Sequence, residues 1–207
     1  MSEQLVPAGF GEAELTEKRS RFLARVWPVE TEPEALACIE KMRKQHYDAR
    51  HNCFAYALRS GAMRYGDDGE PQGTAGQPIL NVFRAGGVTD FCCVVTRYFG
   101  GILLGAGGLV RAYSGAAKLA LDAAGLARMA CWEALELTVP YPLLDRVRRL
   151  AETSGAAEES ADYGAAVTLN LLLPAADVPA FSAALRELTA AAVEPRSLGE
   201  RWRAERL

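Results

Sequence analysis

Thirteen of the chain's 19 glycines fall in the 55 residues from Gly61 to Gly115, leaving six for the other 152. Glycine reaches positive φ and admits close backbone approach at little steric cost, so this stretch must hold the tightest loops. It resolves into two. The first, Gly66-Asp67-Asp68-Gly69-Glu70-Pro71-Gln72-Gly73-Thr74-Ala75-Gly76, places three acids in four positions. The second runs from Arg97-Tyr98-Phe99-Gly100-Gly101 through Gly105-Ala106-Gly107-Gly108-Leu109-Val110-Arg111.

The flanking patterns say what these loops connect. Phe22, Ala24 and Val26 alternate within a strand from Arg21 to Val29. Thr31-Glu32-Pro33-Glu34 reads as a capping box that opens a helix ending near His46. Phe54, Tyr56 and Leu58 share one face of a strand over 52–58, and Ala62 to Tyr65 pairs back as a hairpin. A short helix over 77–84 and a buried strand over 91–97 follow. The next helix carries Val110, Tyr113, Ala117, Leu121 and Ala124 on one stripe and stops at Gly125. From Ala134 the style changes. A strand through Leu135, Leu137 and Val139, a helix through Val147, strands over 157–163 and 167–173, a helix capped by Asp177, and a strand over 193–202 give the order β-α-β-β-α-β, the ferredoxin-like split unit. At 207 residues the chain accommodates two small domains, and the pattern divides it at 1–132 and 133–207.

Each loop has two physical readings. The acids of the first can hold Mg²⁺ through waters, or accept backbone N–H bonds and pair with arginines such as Arg97 or Arg111; Asp67, Asp68, Glu70 and Thr74 are its candidate contacts to a partner or ligand. No Glu stands at the twelfth position that a calcium loop of the EF-hand type requires. The second loop follows a strand and opens a helix, where free amides and the dipole favour anions. Arg97, Tyr98, Gly100, Gly101, Gly105, Gly107, Gly108 and Arg111 are the candidate anion- or RNA-binding residues, with Tyr98 and Phe99 as a stacking surface if exposed. The alternative is close backbone packing. No Gly-Lys-Ser/Thr follows, so it is not a P-loop, and it lacks the third glycine and the acid of a dinucleotide fingerprint.

Composition narrows the classes further. Residues 1–133 hold 15 basic and 15 acidic side chains, so nucleic-acid affinity would have to come from a local patch. Five cysteines without a C-x-x-C read as reduced thiols. His46 and His51 lack zinc-type spacing. Cys53 beside His51 reads as a buried strand cysteine, not a nucleophile, for want of an oriented base in the sequence. No run is apolar enough to span a membrane, and the polar start lacks a signal peptide's pattern, so a cytoplasmic setting is expected.

Lys18-Arg19-Ser20-Arg21-Phe22, His51-Asn52-Cys53, the acidic loop and the helix-opening loop through Ala112-Tyr113 together resemble the YigZ/IMPACT family over residues 10–125. The remainder is similar to the extra domain of its bacterial members. Asn52 departs from the pattern, since bacterial members often carry a second His there. The resemblance implies an α+β chain. Its N-terminal domain would be ribosomal protein S5 domain 2-like, a fold shared with elongation factor G domain IV, and a ferredoxin-like βαββαβ domain would follow. It also implies a translation-related regulatory role: eukaryotic relatives bind the activator of the general-control kinase of initiation factor 2. RNA, the ribosome or a translation-related protein is then the expected partner, with no catalysis, metal or cofactor. A Mg-dependent enzyme acting on a small phosphorylated ligand or nucleotide, and a pure protein-binding module, are the alternatives.

Overall fold

The computed structural model describes residues 4–207. The chain divides into two units, Met1–Met129 with Ala204–Leu207, and Ala130–Arg203.

The first unit is built on the antiparallel sheet β2-β3-β6-β4-β5. Its strands are β2 (Gly11–Glu17), β3 (Ser20–Pro28), β4 (His51–Ala57), β5 (Met63–Gly66) and β6 (Phe91–Tyr98), with a short β1 (Leu5–Pro7) outside it. β6 is buried along almost its whole length. Because successive strand residues face opposite ways, its two faces serve two layers. Phe91, Cys93 and Val95, with Cys53 and Ala55 of β4, pack against α2 (Gly76–Ala85) and α3 (Ala106–Ala124). Cys92 and Val94, with Tyr56 and Leu58, pack against Ala35, Ile39 and Met42 of α1 (Glu32–Gln45).

Thr31 opens α1 with the expected capping box, its hydroxyl accepting from the Glu34 amide while the Glu34 carboxylate accepts from the Thr31 amide. The α3 stripe is wider than its sequence reading and shifted: Leu109, Ala112, Tyr113, Ala116, Ala117, Ala120, Leu121 and Ala124 face the core, and Val110 points outward. The alanines let α3 lie close to the sheet. A Cβ on Gly11 of β2 would sit 2.2 Å from the Ala120 carbonyl oxygen of α3. The sequence reading found neither β1 nor β2.

In the second unit, β7 (Leu126–Val139), α4 (Leu144–Thr153), β8 (Ala157–Tyr163), β9 (Val167–Pro174), α5 (Val178–Thr189) and β10 (Arg196–Arg206) follow in that order. The strands pair as β10-β7-β9-β8, completing the ferredoxin-like βαββαβ unit. Leu135, Leu137, Leu169, Leu171, Val147, Phe181 and Leu185 form its core. Asp177 stands at the start of α5, but its side chain makes no cap bond; there its φ of −94° and ψ of −11° are helical, whereas a capping side chain needs extended backbone. Among the described residues no helix is long and apolar enough to cross a membrane.

Candidate functional site

The site grows from one row of side chains across the first sheet. Register sets Phe22 of β3 opposite Arg97 of β6, and Arg97 opposite His51 of β4. All three point to the α2/α3 face, beyond the apolar core. Tyr98, one residue on, points to the other face. There its hydroxyl meets His46 Nδ1 at 2.9 Å and donates to Asp48 at 3.1 Å. Arg97 and Tyr98 therefore do not act together, and the expected stacking pair reduces to Phe99, which is 40% exposed. The Arg50 and Arg97 guanidiniums each lie 5.6 Å from the centre of the Phe99 ring.

The acidic loop turns most of its polar groups inward. Asp67 serves as a cap for α2, whose N-cap residue Ala75 has no side chain able to do so. Asp67 Oδ1 accepts from the Ala75 and Gly76 amides at 3.1 and 2.8 Å, and Oδ2 from Gly73 at 2.8 Å. Asp68 Oδ2 accepts from the Asn52 amide at 2.6 Å. Thr74 Oγ1 donates to the Pro71 carbonyl at 2.6 Å. Gly76 is required by contact, because a Cβ there would stand 2.8 Å from the Gly66 backbone. Of the loop's acidic side chains, Glu70 is the one that reaches the row. It is 8% exposed, and its Oε1 accepts from Arg97 Nη1 at 2.5 Å and from the Tyr113 hydroxyl at 2.9 Å. Arg97, 5% exposed, is thus the buried counter-ion of Glu70, and it does not stand free to meet a phosphate. Among the described residues no three His, Cys, Asp or Glu side chains converge as a metal cage would need.

The two histidines differ in a way that spacing does not disclose. His46 has both ring nitrogens engaged, Nε2 with Arg25 at 2.7 Å and Nδ1 with Tyr98. Burial, then the Arg25 charge, hold its pKa below the ordinary imidazole value. His51, 8% exposed, has only Nδ1 engaged, at 2.8 Å from the Asp68 carbonyl. A carbonyl only accepts, so Nδ1 carries the proton, and in the neutral ring Nε2 is a bare acceptor. It lies 3.7 Å from Glu70 Oε1, beyond hydrogen-bond reach. Behind them Cys53 is fully buried, its sulfur 3.0 Å from the Asp67 carbonyl oxygen, to which the thiol donates, and 3.3 Å from the Tyr113 hydroxyl. Burial pushes its pKa far up, which fits an inert core thiol.

The helix-opening loop closes the site. Gly100 is a packing residue: a Cβ there would sit 2.1 Å from the Arg19 backbone, and its amide donates to Ser20 Oγ at 3.1 Å. Gly105, at φ 72°, ends the loop, and α3 begins with no side-chain cap. Gly107 is exposed, and the Arg111 guanidinium lies beside it, 3.6 Å from where a Cβ would be. Arg50, His51, Glu70, Arg97, Phe99, Leu104, Gly105 and Ala106 line a groove of about 430 Å³. Its floor holds the self-neutralising Glu70–Arg97 pair and His51. Its rim holds the α3 amides. The Arg50 and Arg111 side chains have no acidic partner among the described residues. Of the expected anion-binding residues, Arg97 and Gly105 line this groove, Gly107 and Gly108 follow in the first turn of α3 with Arg111 beside Gly107, and Gly101 stays in the exposed loop at φ 84°. His51 and Arg50 join them. The strand period that sets His51 and Cys53 on one face was the available signal for His51; nothing local signals Arg50.

The architecture is a mixed α/β unit followed by a ferredoxin-like unit, with a small polar groove at a helix start in the first. Residues 18–121 match the Impact N-terminal domain, and residues 137–192 match a domain of unknown function, DUF1949. The chain is 37% identical over 181 residues to the IMPACT family member YvyE of Bacillus subtilis, covering 86% of this chain and 83% of that one. It is 35% identical over 204 residues to the IMPACT family member YigZ of Escherichia coli, covering 97% and 100%. A crystal structure of a hypothetical protein superposes with a TM-score of 0.62 at 34% identity, covering 96% of this chain and 98% of that one. The chain belongs to the IMPACT family.

Proposed function

We propose that this protein is a cytoplasmic, translation-related regulator that acts by binding, and that it holds RNA phosphate at the start of α3. One observation carries the reading. A 19-residue helix begins uncapped beside two guanidiniums, Arg50 and Arg111, that lack an acidic partner among the described residues. Helix starts of this kind attract anions through free amides and the helix dipole, and the two cations add charge, while the Glu70 carboxylate in the floor is paired with Arg97. The acidic loop supports neither alternative reading. Asp67 spends both oxygens on backbone amides, and Asp68 gives Oδ2 to the Asn52 amide while Oδ1 lies 3.8 Å from the Arg43 guanidinium, which leaves little to hold Mg²⁺ or to present to a basic partner.

The test is fluorescence anisotropy with a labelled oligouridylate across a salt series. Arg50→Ala with Arg111→Ala should weaken binding by about tenfold or more and lower the salt slope by about 1.4, the value for two lost phosphate contacts on a single strand. A folded double variant with unchanged affinity and slope would overturn the proposal. Arg97 is left intact in this test because its substitution would unfold the floor.

A further inference from the structure

We infer that the groove floor receives the ribose 2′-hydroxyl of the bound strand, with His51 Nε2 as acceptor, so that the site selects RNA over DNA. The inference rests on the RNA reading above and deepens it. The rim and the floor ask for different chemistry. The rim offers donors, the amides at the α3 start and the Arg50 guanidinium, with Arg111 beside Gly107 in the first turn. The floor offers acceptors: His51 Nε2, and Glu70 Oε2, which has no hydrogen-bond partner among the described residues.

These acceptors cannot satisfy each other, and a buried acceptor without a donor is costly. Neither atom is sealed from solvent, since among the described residues the one unpartnered side-chain nitrogen or oxygen so sealed is Arg97 Nε, and both residues line the groove. His46 is the internal contrast, for the same residue type there has both nitrogens occupied. His51 is therefore a nearly buried polar side chain with one unused atom aimed at a cavity.

A ligand that satisfies both halves carries an anion next to a hydroxyl donor. A phosphodiester is acceptor-only at neutral pH, and a deoxyribose within a strand has no donor. The 2′-hydroxyl is the group that distinguishes RNA at a single site. A groove of about 430 Å³ stands at the small end of ligand pockets and suits one nucleotide unit of a single strand.

The experiment compares the wild-type protein's affinity for an oligouridylate, its 2′-fluoro form and the corresponding deoxyuridylate, all of one length. The 2′-fluoro strand keeps an RNA-like sugar pucker without the donor. RNA should bind roughly tenfold tighter than both others, the worth of one hydrogen bond to an otherwise unpaired acceptor. His51→Ala should bring RNA to the deoxyuridylate level and leave the deoxyuridylate affinity within about twofold, whereas Arg50→Ala with Arg111→Ala should weaken all three alike. Equal affinity of the wild type for RNA and the 2′-fluoro strand overturns the inference while the RNA reading stands. A preference that survives in folded His51→Ala overturns the assignment to His51. Failure of all three strands to bind overturns both. The wild-type sugar series decides the matter even if His51→Ala does not fold.

Discussion

Arg97 shows how a residue's chemistry is settled by a partner far away in sequence. Its guanidinium is buried against Glu70, 27 positions upstream, with Phe22 stacked below at 5.5 Å. Removing one member of such a pair leaves an uncompensated buried charge, which costs about 3–5 kcal/mol, whereas replacing both by apolar groups of similar volume is often near neutral. Arg97→Ala should therefore lower stability by that amount in urea unfolding, and Arg97→Met with Glu70→Leu should recover most of the loss. A single variant as stable as the wild type would show that the pair is not sealed. The sequence marked Arg97 as important but not which way it turns, because Glu70 and Arg97 meet only through the sheet and the loop. The separation of Arg97 from Tyr98 was legible, since neighbours on a strand cannot share a face. His46 and His51 were not separable by reading, as their difference lies in two hydrogen bonds made by long-range partners.

Among the elements, those with local signals were legible and those capped from a distance were not. The α1 start is written in Thr31 and Glu34, three residues apart. The α2 start depends on Asp67, eight and nine residues before the amides of Ala75 and Gly76 that it caps, so no cap signature stands at the helix itself. Asp67→Ala should cost about 1–2 kcal/mol, in the upper range for lost N-caps. Amide exchange should rise first at Gly73, Ala75 and Gly76 and leave the α1 start unchanged. Uniform loss of protection across the unit, α1 included, would show that Asp67 holds more than α2. β2 escaped reading because its acids Glu12, Glu14 and Glu17 hide a short alternation of Ala13 and Leu15, which pack on the first core. The glycine loops were legible as devices, but their use divided: Gly76 and Gly100 answer to backbone contact, and Gly105 to a helix start.

At the scale of the whole molecule, two units and their α+β class were readable from the change of pattern near residue 134, and the ferredoxin-like strand order follows from the element order. The return of Ala204–Leu207 to the first unit was not readable, for those residues carry no pattern of their own. The buried thiols give the molecule a pH signature. Burial drives the pKa of Cys53 and Cys93 far up, and contact with Cys38 followed by burial does the same for Cys92. Above about pH 8.5, the ordinary thiol value, the unfolded chain releases these protons and the folded chain keeps them. Stability should be unaffected by these groups below that pH and should fall above it, by up to about 1.4 kcal/mol per pH unit per thiol. Urea midpoints flat from pH 8 to 10 in the wild type would contradict this. The same burial turns the cysteines into a clock. Cys38 is partly exposed, and its contact with Cys92 lowers its pKa, so it meets an alkylating reagent in the native fold. Cys53, sealed directly beneath the acidic loop and Tyr113, is alkylated only when that floor lifts, and its labelling rate counts how often the groove comes apart.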